Sequence, residues 1–122
     1  MTIRRYTVPV TVDASGDATA YSPRLSGKLC QFRYVKTDFA DGVDFVITSE
    51  ETGETLWSEE DVNASASRSP RAATHTTAGA AALYAGTGAV NSKIGLDTDR
   101  VKIVVADGGV STTGTFIIIV DN

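Results

Sequence analysis

Residues that usually carry catalysis or bind metals are scarce in this chain. Its 122 residues include one cysteine, one histidine and one tryptophan. The lone cysteine, Cys30, excludes an internal disulfide and a zinc site built from thiolates. The lone histidine, His75, lies among small residues, without the apolar flanks that would hold its ring for Ser/His/Asp catalysis. No nucleophile-elbow or phosphate-loop spacing occurs either, so the sequence predicts neither an enzyme nor a cofactor.

Long apolar runs and basic stripes are also missing. No stretch approaches the roughly 20 apolar residues that span a bilayer. The N-terminal MTIRRYTVPV has no apolar segment after its two arginines. We therefore expect no membrane partner, no secretion signal and synthesis in the cytoplasm. No basic stripe is interleaved with aromatic residues, so nucleic acid is not an expected partner, and nothing in the sequence indicates a small-molecule substrate.

Charge is distributed unevenly along the chain, although the formal net charge is only −4. Residues 1–36 carry six basic and two acidic side chains, whereas residues 37–62 carry nine acidic side chains and no basic ones. Two solvated faces of opposite sign would explain this split. It would also suit head-to-tail pairing between copies, in which the basic face of one copy meets the acidic face of another.

Strand patterns dominate the sequence, and no helical periodicity extends beyond a turn or two. Turns rich in Gly, Asp and Ser separate the segments that alternate or are rich in Val, Ile and aromatic residues. Such a pattern is typical of a sandwich, jelly roll or small barrel. The chain is therefore predicted to form one all-β domain over 1–122, a β-sandwich or jelly-roll-like fold. About eight short antiparallel strands are expected, at 6–12, 18–22, 28–37, 43–50, 55–59, 93–96, 100–106 and 115–121.

Some strand residues point to contacts outside the monomer. Pro9 cannot donate to a strand ladder, which predicts an edge strand suited to pairing with a neighbouring molecule. The strand that contains Phe116 and Ile118 is apolar on both faces, as is IVVA at 103–106. Either the long segment described next covers the second face, or that face packs against another copy or another protein.

A segment of small residues interrupts the strand pattern. Twenty of the 29 residues in 63–91 are Ala, Ser, Thr or Gly, which predicts a long loop that is either a surface crossover or functional. As a crossover it would contain one helical turn at 78–85, where alanine is favoured. As an interaction loop it would lie close against a partner, with two apolar anchors and three polar contacts. These are Leu83 and Tyr84, and Arg68, Arg71 and His75.

An aspartate-rich turn is the remaining candidate for a ligand site. Asp38, Asp41 and Asp44 surround Gly42, and oxygen ligands on a turn are what a hard cation requires. Their spacing departs from the EF-hand pattern, and Asp-Gly is also a common dipeptide in tight turns between strands. Both a cation site and a plain hairpin turn are therefore possible, and no metal is assigned.

The order of several segments resembles that of a family of small virion proteins of tailed bacteriophages. These segments are, in order, YTVPVTVDASGDATAYSPRLSGKL, YVKTDFADGVDFVITSEETGETLW, NASASRSPR and DRVKIVVADGG followed by TGTFIIIV, and they cover nearly the whole chain. The resemblance implies a small β-sandwich that decorates the outer surface of the capsid, commonly as trimers, and brings no active-site motif. Its expected partners are the major capsid protein and other copies of itself, and its expected location is the virion. Proteins of the neck, the head–tail connection or tail completion, and receptor-binding modules of fibres, are the alternatives.

Overall fold

The computed structural model describes residues 2–122, and most of them lie in strands. Ten strands and no helix are present in this range. The all-β, β-sandwich-like fold predicted from the sequence is therefore confirmed. The strands are β1 (Ile3–Thr11), β2 (Ala18–Lys36), β3 (Val43–Ser49), β4 (Thr55–Val62), β5 (Ala66–Arg68), β6 (Arg71–Ala73), β7 (Leu83–Tyr84), β8 (Thr87–Ala89), β9 (Asn91–Ala106) and β10 (Thr113–Asp121).

The main sheet has the strand order β1-β10-β2-β9-β3-β4, and its strand pairs are antiparallel. Residues 28–36 of β2 pair with β10, whereas residues 18–29 pair with β9. Strand β2 therefore continues from one layer into the other. The first layer consists of β1, β10, the second half of β2 and the short β5, and the second layer consists of the first half of β2, β9, β3 and β4.

The main sheet has eight strands, in line with the prediction of about eight, but two of them are much longer than expected. β2 has 19 residues and β9 has 16, and each joins two segments that the sequence pattern separates. Pro23 and Gly27, which fall between the expected strands 18–22 and 28–37, lie at register shifts within the β2–β9 pair, where a strand bends without ending. Gly27 has φ +115°, and a Cβ there would lie 2.6 Å from the carbonyl oxygen of Asp121. The close approach of the chain end thus requires glycine.

Aromatic rings fill the space between the layers. Tyr34 and Phe116 from the first layer meet Phe45 from the second, with ring centroids 5.1–5.3 Å apart. Trp57 of β4 packs edge-on against Phe45 at 4.7 Å. Such contacts bury large apolar area and favour one arrangement of the two layers. The core therefore lies between the layers and is aromatic in its centre.

The expected interface role of Phe116 and Ile118 does not hold in this structure. Both side chains are fully buried in the core. Alternation along β10 turns Ile117 and Ile119 outward instead, and these are half-buried. The apolar outer face exists, but the alternate residues form it.

The small-residue segment is not a continuous loop. Four short strands, β5 to β8, lie within residues 63–91. The helical turn considered for 78–85 is also absent, because Leu83 and Tyr84 form β7 and pair with β8. The alanines and glycines of this segment lie in short strands and tight turns, where small side chains allow the backbone to reverse direction within a few residues.

Candidate functional site

The projecting part of the small-residue segment is here called the arm, residues 71–91. Its base is attached to the sandwich, because β6 pairs with the start of β9 from Arg71 opposite Lys93 to Ala73 opposite Asn91. The guanidinium of Arg71 donates to the carbonyl oxygen of Cys30 at 3.0 Å. Ala72 packs against the core. Arg71, which the sequence suggested as a partner contact, thus helps to fix the base of the arm.

Backbone hydrogen bonds hold three segments of the arm side by side. The amide of Thr74 donates to the carbonyl of Val90 at 2.8 Å, and the amide of Ala82 donates to that of Thr74 at 2.9 Å. The amide of Val90 in turn donates to the carbonyl of Ala82 at 3.0 Å. Backbone hydrogen bonds therefore tie the arm together, even though its side chains contribute little to any core.

A two-residue turn forms one tip of the arm. Tyr84 pairs with Thr87, and the two residues between them, Ala85 and Gly86, have φ values of +45° and +82°. Positive φ at both central positions is the geometry of a type I′ hairpin turn. This turn presents the two large apolar side chains of the arm next to it. Leu83 is 53 % exposed and Tyr84 is 72 % exposed.

His75 lies elsewhere on the arm, near a second turn. Its backbone forms a bridge with Ala81 near that turn, which is closed by Gly79 and Thr76. The side chain is exposed and forms no hydrogen bond or ion pair within residues 2–122. A histidine in this setting can offer a polar contact to a partner, but no neighbouring group orients its ring.

Arg68 joins the two layers of the sandwich. Its guanidinium donates two hydrogen bonds of 2.9 Å to the carboxylate of Glu59, and it lies 5.8 Å from the ring of Trp57. The indole N–H of Trp57 donates to the same carboxylate at 3.0 Å. These bonds, that of Trp57 first, lower the pKa of Glu59 below its usual value. Arg68 therefore bridges β5 and β4, a contact that sequence reasoning missed because it depends on side-chain reach.

The eight residues suggested as interface residues lie at several separate places. Leu83, Tyr84 and His75 lie on the arm, and Arg71 lies at its base. Arg68 lies at the surface, where it bridges β5 and β4. The remaining three are separate from the arm, since Pro9 is exposed on β1 and Phe116 and Ile118 are in the core.

The three aspartates around Gly42 have separate partners. Asp38 accepts a hydrogen bond from the hydroxyl of Thr113 at 3.1 Å. Asp41 pairs with Lys36, and Asp44 accepts from the amide of Asp61 at 2.8 Å. Across residues 2–122, no group of three or more His, Cys, Asp or Glu side chains is placed to hold a metal ion. The turn interpretation accounts for each carboxylate.

Asp107 is a further acidic residue that the sequence did not single out. A hydrogen bond to the carboxyl of Asp44, together with the charge of that residue, raises the pKa of Asp107. Its φ is +58°, in the left-handed region. This pair forms only in the fold, because the two residues lie on neighbouring strands or just beyond them.

A cleft of about 200 Å³ lies between the β3–β4 turn and the middle of β9. Its buried carboxylate, Asp99, accepts hydrogen bonds from the Ser49 hydroxyl and from the amides of Glu51 at 3.0 Å and Arg100 at 2.8 Å. These bonds, that of Ser49 first, lower the pKa of Asp99. Asp99 therefore stays ionised and supports the turn, which does not suit a general acid. The lining residues are Ser49, Glu51, Thr52, Glu54, Gly95, Asp97 and Asp99.

Comparison with known proteins adds no family. A scan against protein-family models finds no match, and neither does a search of curated proteins. Within residues 2–122 the structure has no helix long and apolar enough to cross a membrane. The candidate site therefore stands on its own geometry, which is that of a projecting, ordered arm with two exposed apolar side chains.

Proposed function

We propose that this chain is a non-enzymatic structural protein that binds the outside of a bacteriophage capsid and stabilises it. The observation that carries the proposal is the exposed pair Leu83 and Tyr84 at the tip of the arm. Large side chains, tyrosine in particular, are typical anchors of an interface, where they fill pockets of a partner. The resemblance to small virion proteins supplies the expected partner, a major capsid protein.

The rest of the arm suits such contact. Between Ala72 and Ser92 it carries no charged side chain, and His75 is its only titratable group besides Tyr84. Small side chains allow the backbone to lie close to another protein. Because the base and middle of the arm are already hydrogen-bonded, binding would order few groups and would therefore lose less conformational entropy.

Many weak contacts are sufficient for a protein that stabilises a shell. A shell offers many equivalent sites, so modest affinity at each still gives high occupancy and a large summed effect. The chain needs surface for this role more than it needs a pocket. The cleft beside the β3–β4 turn has a carboxylate fixed by three donors, which favours a structural role for that acidic residue.

Rebinding to shells tests the proposal. The variant Leu83→Ala/Tyr84→Ala should bind shells stripped of this protein about 100-fold more weakly than the unmodified chain, because two anchors are worth about 3 kcal/mol together. Val110→Ala is the matched control, since Val110 is also 72 % exposed but lies outside the arm. Cosedimentation of labelled protein with the shells measures both. Equal binding by the double variant and the control would contradict a docking role of the arm.

Copy number in purified virions separates the alternatives. Quantitative mass spectrometry should find hundreds of copies per particle, and shells that lack the protein should assemble but break at a lower temperature. Six or twelve copies would indicate a neck or tail-completion ring instead. A few copies that bind glycans would indicate a receptor-binding module, and absence from virions would refute the proposal as a whole.

A further inference from the structure

Strand β1 is a regular edge strand with one free side. It lies at the end of the strand order and pairs with β10 from Ile3 to Thr11 without a register shift. No other strand hydrogen-bonds to it within residues 2–122. An open edge of this length offers backbone donors and acceptors to another strand. The opposite end, β4, is less regular, because its pairing has two register shifts and Arg68 bridges to it.

The hydrogen bonds at the chain ends show which residues face the open side. Thr2 and Asn122 exchange both backbone bonds, at 2.8 and 2.9 Å, and the amide of Val12 donates to Thr112. The direction of the backbone N–H and C=O groups alternates along a strand. The backbone groups of the even-numbered residues of β1 therefore bond to β10, and those of the odd-numbered residues point to the open side of the strand. Pro9 is therefore on the open side, and its missing N–H costs the sheet no bond. The open side is formed by Ile3, Arg5, Thr7, Pro9 and Thr11.

We propose that two copies of this chain pair through β1, antiparallel about a two-fold axis at Thr7. This register places Thr7 opposite Thr7 of the second copy, Arg5 opposite Pro9, and Ile3 opposite Thr11. Each such pair exchanges two bonds except where proline lacks its donor, so about eight backbone hydrogen bonds join the copies. The first layers of the two copies become one continuous sheet.

Neighbouring registers are less favourable. An axis at Arg5 would place the guanidinium groups of the two copies directly opposite each other, and like charges in that position destabilise a strand pair. An axis at Pro9 would oppose two residues that cannot donate. The axis at Thr7 avoids both problems and uses the whole length of the strand, so the sequence of β1 selects one register.

Charge complementarity favours the same antiparallel pair. Arg4 and Arg5 lie at the start of β1, and neither forms a salt bridge within residues 2–122. The other end of β1 leads into a turn that carries Asp13 and Asp17. Antiparallel pairing brings the basic end of each copy toward the acidic end of the other, which favours association.

The outward side chains also fit this arrangement. Ile3 is 55 % exposed and lies diagonally across the strand pair from Ile119. Pairing places the outward apolar residues of both copies, Ile3, Ile117 and Ile119, on one shared face. The inference does not depend on the arm or on the proposed capsid role. It predicts dimers, whereas the resemblance to decoration proteins implies trimers.

A charge-swap experiment tests the pairing. The purified chain should sediment as a dimer that dissociates on dilution, and Thr7→Lys and Thr7→Glu should each weaken the dimer about tenfold or more, because like charges then meet on the axis. An equimolar mixture of the two variants should restore the dimer. Thr19→Lys, on the exposed side of β2, is the control and should leave it intact. A wild-type monomer or trimer, or a dimer that persists in Thr7→Lys, would overturn the proposal.

Two further variants test the register. Thr7→Cys in a Cys30→Ser background should form a covalent dimer on mild oxidation, because directly opposed residues in this register have Cα atoms about 5.5 Å apart. Thr11→Cys in the same background should not, because Thr11 lies opposite Ile3. Pro9→Thr should strengthen the dimer by restoring a donor. Cross-linking of Thr11→Cys in place of Thr7→Cys would contradict the two-fold axis at Thr7.

Discussion

Removal of the Tyr34 hydroxyl should stabilise the protein. The side chain is 1 % exposed, and its ring lies 5.3 Å from the rings of both Phe45 and Phe116. The hydroxyl has no hydrogen-bond partner within residues 2–122. Burial of an unpaired polar group costs about 1–3 kcal/mol. Because Tyr34→Phe keeps the ring contacts and removes only the unpaired group, we expect the free energy of unfolding to rise by about 1 kcal/mol.

The alkaline limb of the stability curve gives a second readout for the same variant. Burial, and then the charge of Asp41, raise the pKa of Tyr34 from 10.0 to about 12. The hydroxyl ionises more readily in the unfolded chain than in the folded one. The stability that the folded chain gains by keeping the hydroxyl neutral is therefore fully present below pH 10 and is lost as the pH rises through about 12. A shift of this size corresponds to about 3 kcal/mol of stability. Tyr34→Phe should lose less stability than the wild type over this range.

Urea denaturation at pH 7 and at several pH values above 9 measures both effects. Tyr21→Phe is the control, because Tyr21 is 40 % exposed and its hydroxyl pays no such burial cost. A Tyr34→Phe protein that is less stable at pH 7 would refute the reasoning, since it would mean that the hydroxyl is hydrogen-bonded in solution. If the free energy of unfolding of Tyr34→Phe and of the wild type fell equally above pH 9, the loss of stability in alkali could not be assigned to the Tyr34 hydroxyl.

Two carboxylates give the remaining predictions. Asp107→Asn should raise the melting temperature at pH 7 by a few degrees but not at pH 3. Because the pKa of Asp107 is raised, the wild type loses stability as the pH rises and this carboxyl ionises beside Asp44, and asparagine cannot ionise. Asparagine also tolerates the φ of +58° at this position. A lower melting temperature at pH 7 would contradict this. Glu59→Gln should cost about 0.5–1 kcal/mol at pH 7, because the partly exposed pair with Arg68 loses its charge. The lowered pKa of Glu59 means that this stabilisation is present above about pH 4.5 and is lost at lower pH, so denaturation curves of the variant and the wild type should converge in acid.

Local patterns were sufficient for the fold class but not for the strand boundaries. Alternation over 28–37 and the run of β-branched apolar residues in 115–121 indicated strands correctly, because both patterns reflect local backbone preference. The break expected between 18–22 and 28–37 did not occur, since Pro23, which has no donor, is tolerated at a bulge, and the bulge depends on where β9 crosses. Because residues 116–120 are apolar on both faces, their sequence could not indicate which face of the strand is buried between the layers. Only the packing against Phe45 decides that Phe116 is buried and Ile117 is not.

The candidate site was predictable where it depends on composition. Leu83 and Tyr84 were suggested as candidate anchors because they are large apolar residues in a run of small ones, and in the structure both are exposed. The position of these two residues beside a hairpin turn could not be predicted, since Ala-Gly is a weaker sequence signal for a type I′ turn than Asn-Gly. The bond between Arg68 and Glu59 likewise needed the tertiary structure, because it joins strands of different layers.

Pro9 shows how one residue limits association without preventing it. As a sequence signal it marks an edge but not which side of the strand is free. The bonds between Thr2 and Asn122 place its missing donor on the open side, where it weakens any added strand and leaves the sheet intact. A two-fold pair uses the open edge of both copies at once, and the register shifts of β4 leave no regular second edge for further addition. Pairing through β1 therefore closes on itself and does not lead to a fibre.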